Sequence, residues 1–179
     1  MNFYIFFVMY LVNSFTNGLL YLKPLTEENG TLNQDGYLNM AALFDTKRNH
    51  EKGMSYQIFF DLLKQYQYAH TLSDDEIDKL FTDVVFNKDG YMTQDQFFIQ
   101  MGKCLKVVEL NVKELYDYCF NKKEGMTQEQ LIFAFKICSI KMDYVEATQL
   151  MRDFTRRNAQ NINFEEFRSI FAHKLHKLV

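Results

Sequence analysis

The sequence predicts an all-α protein: four helix–loop–helix units joined as two pairs and preceded by an apolar N-terminal segment. Three observations lead there. An internal repeat recurs about every 34 to 38 residues, helix-capping signals stand at fixed places within it, and helix breakers are nearly absent. One Pro and seven Gly in 179 residues are too few for a turn-rich β-sandwich and leave long helices uninterrupted. Apolar side chains make up 47% of the chain, with 18 Phe and 11 Tyr, which is ample material for one core or two small ones.

The repeat emerges when "KRNHEKGMSYQIFF" (47–60), "VFNKDGYMTQDQFF" (85–98), "CFNKKEGMTQEQLI" (119–132) and "TRRNAQNINFEEFR" (155–168) are aligned. An apolar residue then recurs at Met54, Met92, Met126 and Ile162, spaced 38, 34 and 36 apart. Five positions later stand Phe59, Phe97, Leu131 and Phe167, and eleven positions earlier Leu43, Phe81, Leu115 and Met151. Chance does not keep four copies in step at three places.

The elements follow in order. The helix leaving each loop opens on Ser55, Thr93, Thr127 or Asn163, whose side-chain oxygen suits a free backbone N–H. Gln96, Gln130 and Glu166 supply the reciprocal partner three residues on, the pattern of a capping box. Helices entering the later loops start at Ser73 with Glu76, Asn111 with Glu114, and Asp143 with Glu146. Apolar stripes at helical spacing support them: Phe97, Met101 and Cys104; Val112, Leu115, Tyr116 and Cys119; Phe167, Ile170, Phe171 and Leu175. Most of this surface is read as core, because one helix–loop–helix unit cannot bury its own apolar face and must pair.

The first 22 residues carry no charged side chain. Residues 3–12 have the length of a signal-peptide core, and Thr16 and Gly18 flank a cleavage point after Gly18, though no charged n-region precedes them. The other readings are a membrane anchor, interrupted by polar residues from Asn13 to Gly18, and a retained extension. Residues 1–30 thus form an apolar segment and linker. The location is the cytoplasm if the segment is retained, and the secretory pathway if residues 1–18 are a signal.

A net charge of −3 gives no bulk electrostatic ground for nucleic-acid binding. Residues 31–104 hold 7 basic and 11 acidic side chains, while residues 105–179 hold 12 and 10, so the halves differ in sign. Cys104, Cys119 and Cys138 are odd in number without metal-ligand spacing, and read as small buried hydrophobes. His173 and His176 have no Cys or carboxylate beside them in the sequence to complete a metal site, and suit a helix C-terminus. No Ser/His/Asp set, glycine-rich phosphate loop or paired-carboxylate signature is present, so no enzyme is expected.

Around "IDKLFTDVVFNKDGYMTQDQFF" the chain resembles the EF-hand proteins of the calmodulin superfamily, through Phe81, Asn87, Asp89, Gly90, Tyr91, Met92 and Phe97. The resemblance covers about residues 38–178. It implies two lobes, residues 31–104 and 105–179, joined near residues 101–111. It also implies two-stranded ribbons pairing Met54 with Met92 and Met126 with Ile162.

Calcium takes six to eight oxygens, with a bidentate Glu closing the loop at its twelfth position. The first loop offers Lys47, Asn49, Glu51, Ser55 and Ile58 at the ligand positions, and the second offers Val85, Asn87, Asp89, Thr93 and Gln96. The third offers Cys119, Asn121, Lys123, Thr127 and Gln130, and the fourth Thr155, Arg157, Ala159, Asn163 and Glu166. No loop has both an opening acid and a closing Glu. The weak candidates are Asp83, Asn87, Asp89, Tyr91 and Thr93, in an enlarged second loop. Gly90 has a plainer reading, as a tight turn needing positive φ.

The expectation is therefore a non-enzymatic, light-chain-like protein with no required cofactor. Its partner is an amphipathic helix of a target protein, with no nucleic acid, and with membrane contact only if the N-terminal segment is uncleaved. The −4 half is the expected clamp for a basic helix, and nine Met residues suit an adaptable groove. The alternatives are a calcium sensor or buffer with unorthodox loops, and a secreted or lumenal structural protein.

Overall fold

The computed structural model describes residues 24–120, 125–155 and 160–176. The apolar segment 1–22, with its signal-peptide and anchor readings, lies outside these residues. The protein is all-α apart from four two-residue strands among the described residues. No helix among them is long and apolar enough to cross a membrane.

The chain divides into two compact units, one of residues 24–109 and one running from residue 110. The first holds α1 (Gln34–Lys47), β1 (Met54–Ser55), α2 (Tyr56–Gln65), the one-turn α3 (Gln67–His70), α4 (Asp74–Val85) and β2 (Tyr91–Met92). Helix α5 (Gln94–Cys119) begins in it and ends in the second unit, which continues with β3 (Met126–Thr127), α6 (Gln128–Ile137), α7 (Tyr144–Phe154), β4 (Asn161–Ile162) and α8 (Phe164–His176). A helix, a short strand and a second helix thus recur four times. The strands pair antiparallel, Met54 opposite Met92 and Met126 opposite Ile162, and all four side chains are fully buried.

Aromatic rings fill the space beneath each ribbon. In the first unit Phe44, Phe59, Phe81 and Phe97 are buried, with Phe97 5.4 Å from Phe44 and 6.4 Å from Phe59 between centroids. In the second, Phe135, Phe167 and Phe171 pack together, and Tyr116 lies 5.5 Å from Phe167. Burial of such a ring stabilises by roughly 1.5 to 3 kcal/mol, so the repeated apolar positions are where folding energy is concentrated.

Two expectations need correction. Residues 24–30 belong to the first unit and not to a linker: Leu25 and Leu32 are buried, Thr26 bridges Leu32, and the Asn33 side chain ties the helix start to the Pro24 carbonyl. Lys106 on α5 donates to the Glu28 carbonyl at 3.0 Å, fixing this strap on the helix. Asn111, expected to start a helix, lies inside α5. No Pro or Gly stands between Lys103 and Cys119, and the buried stripe Cys104, Val108, Val112 and Tyr116 runs through the site, so helix propagation overrides the cap.

Candidate functional site

The second loop, between Val85 and Gln96, holds the weak metal candidates. Helix α4 ends when Phe86 turns left-handed at φ 66, with its amide donating to the Thr82 carbonyl. Asn87 Oδ1 then accepts from the Asp89 amide at 3.0 Å, closing a local turn. Thr93 caps the next helix: its hydroxyl accepts from the Gln96 amide at 3.4 Å, and its own amide donates to Gln96 Oε1 at 2.9 Å. Asp83 and Asp89 are exposed, and Tyr91 is half-buried against the His50 ring at 4.4 Å.

Gln96 is the informative side chain. Its Nε2 donates to the Val84 carbonyl at 2.7 Å, so one amide group ties the helix leaving the loop to the last turn of the helix entering it. A closing carboxylate accepts only, and could not make this bond. The loop is held shut by a neutral hydrogen-bond donor at the position where a cation site needs an anion.

A second tie lies beside it. The Lys88 ammonium, in the loop, contacts Asp78 Oδ2 on α4, reaches the Tyr56 hydroxyl at 3.2 Å, and sits 4.3 Å from the Tyr56 ring centre. The Tyr56 hydroxyl donates to Asp78 Oδ1. Lys88, and then Tyr56, hold the Asp78 carboxyl below the usual carboxylate range, while Asp78 raises the Lys88 pKa. Burial, followed by the bond to Asp78, raises that of Tyr56. These three residues lie on α2, α4 and the loop that follows α4, so the first unit carries its own cation among its loop partners.

The first loop is closed in the same spirit. Asn49 Oδ1 accepts from the Ser55 amide and Asn49 Nδ2 donates to Ser55 Oγ, both at 3.0 Å. Ser55 therefore stands at the start of α2 but makes no side-chain cap bond to it, contrary to the expectation, because its hydroxyl is turned to Asn49. In the second unit the capping boxes of Thr127 with Gln130 and Asn163 with Glu166 are formed, and the Glu166 carboxylate accepts from the Asn163 amide. The ligand positions Asn121, Lys123, Arg157 and Ala159 lie outside the described residues.

The reading of Gly90 also changes. Its φ is not positive; a Cβ there would meet Val85 Cγ1 at 2.5 Å, so close approach accounts for the glycine. The positive-φ glycines of the loops are Gly53, at φ +138, and Gly125, at φ +96, each just before a ribbon strand. A Cβ on Gly53 would stand 2.1 Å from the Met92 carbonyl oxygen.

In the second loop the residues do not fit calcium. Among the described residues no three His, Cys, Asp or Glu side chains are grouped to hold a metal ion. The opening position is Val85, the closing position is an amide engaged at both ends, and an ammonium already neutralises Asp78. The thiols are no better placed for chemistry: burial pushes Cys104 up to about 12 and also raises Cys119 and Cys138.

Sequence reasoning missed Tyr56 and Asp78, which lie 32 and 10 residues from Lys88. Only the lysine within "NKDG" was a visible signal. Comparison with family models, with curated proteins and with solved structures gives no match.

Proposed function

We propose that the chain is a non-enzymatic EF-hand-type protein of the calmodulin superfamily, with four hands in two lobes, which clasps an amphipathic helix of a target protein independently of calcium. The observation that carries this is the Gln96 amide, bonded at once to Thr93 N and Val84 O. In a calcium switch the closing carboxylate moves the exiting helix when metal arrives, since it supplies two ligand oxygens. With an amide there, the same two helices are joined without metal, and Lys88 with Asp78 and Tyr56 adds a second fixed contact. Such a joint forms without metal, which suits a constitutive adaptor. The protonated, buried thiols support the non-enzymatic part, because the thiolate is the nucleophile.

The test has two arms on the full chain. Calorimetric titration with calcium is expected to give no saturable heat at low-micromolar affinity. Affinity capture in calcium and in chelator is expected to recover the same helical partner equally. Saturable calcium heat, or recovery of the partner in calcium alone, refutes the reading.

A further inference from the structure

The second unit contains an open cavity of about 540 Å³ between the end of α6, the 138–143 connection and the first turn of α7. Its apolar lining is Ile132, Ile140 and Met142. A space of this size takes several side chains of a helix that lays its apolar face into it. The same two helices leave Phe133, Ile137, Tyr144 and Val145 exposed, so apolar surface extends beyond the cavity itself.

Charge around the cavity is not balanced once existing partners are counted. Two acids line it, and only Glu146 is paired with a cation. Asp143 caps α7, its Oδ1 accepting from the Glu146 amide at 2.8 Å. Glu146 accepts from the Lys174 ammonium of α8 at 2.6 Å, and the Lys174 side chain is only 11% exposed. The two lining cations, Lys136 and Lys141, are exposed and have no ion pair among the described residues. An occupant therefore meets an apolar floor flanked by two ammonium groups and the one capping carboxylate of Asp143, a positive excess. The half of the chain from residue 105 also has the positive balance, 12 basic against 10 acidic.

We infer that this cavity docks an acidic amphipathic helix: apolar anchors in the cavity, and Glu or Asp beside them facing Lys136 and Lys141. The inference rests on the helix-binding function proposed above and gives the second unit an acidic target, where a basic helix was expected at residues 31–104. Apolar burial supplies most of the affinity, while the lysines choose between partners of opposite charge. An acidic helix gains two exposed ion pairs, and a basic helix meets two like charges.

The test uses two fluorescein-labelled synthetic peptides with one common leucine face, one with Glu and one with Lys on the polar face. Binding to the full chain is read by anisotropy at low ionic strength, and contact by the methyl resonances of Ile132, Ile140 and Met142. The acidic peptide is expected to bind about tenfold more tightly, the size of two exposed charge contacts of roughly 0.7 kcal/mol each. It should shift the three methyl groups. The double variant K136E/K141E, altered only at exposed positions, should reverse the preference. Equal or tighter binding of the Lys peptide, with the same methyl groups shifted, overturns the inference and leaves the helix-binding reading standing. Failure of both peptides to bind, in calcium and in chelator alike, overturns both. Methyl shifts that depend on protein concentration, or on removal of residues 1–22, with no peptide present, assign the cavity to a second copy or to the chain's own apolar segment and also overturn it.

Discussion

Replacing Gln96 with Glu separates a loop closed by its own hydrogen bonds from one that lacks only its metal ligand. The substitution keeps the acceptor that receives the Thr93 amide at 2.9 Å. It removes the donor that meets the Val84 carbonyl at 2.7 Å and sets one oxygen against another. A lost neutral hydrogen bond with its acceptor left behind costs about 2 kcal/mol. A negative charge in the first turn of α5 returns about 0.5 kcal/mol through the helix dipole. The net loss is about 1.5 kcal/mol. At a urea dependence of about 2 kcal/mol per molar this lowers the unfolding midpoint by about 0.7 M, measured by circular dichroism in chelator. Gln96→Met, which loses both contacts, should fall further. Adding calcium should leave the Gln96→Glu midpoint where it was, because Val85 offers no ligand and Lys88 stands in the loop. A Gln96→Glu midpoint at or above wild type in chelator refutes the idea that the amide closes the loop. A midpoint restored by calcium refutes the idea that the loop has lost more than its glutamate.

The other predictions concern neighbouring groups. His70 is buried, with Nδ1 accepting from the Leu72 amide at 3.0 Å and Nε2 placed 2.8 Å from the Leu63 carbonyl, so the neutral ring carries its proton on Nε2. Burial lowers its pKa, which the Leu63 bond and Glu76 partly oppose, while Lys64 lowers it further. The folded value thus lies below the unfolded one. The stabilisation is complete above about pH 6.5 and is lost as pH falls through the folded value. The stability difference between wild type and His70→Gln should shrink from pH 7 to 5 in urea unfolding; a constant difference contradicts the assignment. Lys88→Met should raise the Asp78 carboxyl toward its ordinary value in an NMR titration, and Tyr56→Phe should raise it less, because Lys88 is the larger cause. An unmoved Asp78 rules out the three-residue contact. Gly53→Ala, at φ +138 with its new methyl 2.1 Å from the Met92 carbonyl oxygen, should destabilise by about 2 kcal/mol or more on thermal unfolding. A smaller loss means that the ribbon moves aside readily.

Helix content, repeat frame and core were legible because they depend on periodic, local properties. The positions of Met54, Met92, Met126 and Ile162 could be aligned from spacing alone, and all four side chains are fully buried in the paired strands. Capping boxes at Ser73, Thr93, Thr127 and Asn163 could be read because both partners lie within three residues. Asn111 carries the same signature and starts no helix, since a cap signal offers only a helix start and nothing nearby ends the preceding helix. Gly90 and Ser55 misled for a related reason: their neighbours, Val85 Cγ1 and the Asn49 side chain, set what each does.

By itself the sequence determined four helix–loop–helix copies, their apolar positions, and the absence of an acid–Glu ligand pair in any loop. What closes those loops was decided by tertiary structure. The bond from Gln96 to Val84 and the meeting of Lys88 with Asp78 and Tyr56 bring together residues on different helices and a loop. The availability of Lys136 and Lys141 beside the cavity follows from where Lys174 points, 28 residues from its partner Glu146. Local pattern sets which side chains face inward, but a hydrogen bond or ion pair between distant residues exists only once packing has set their distance.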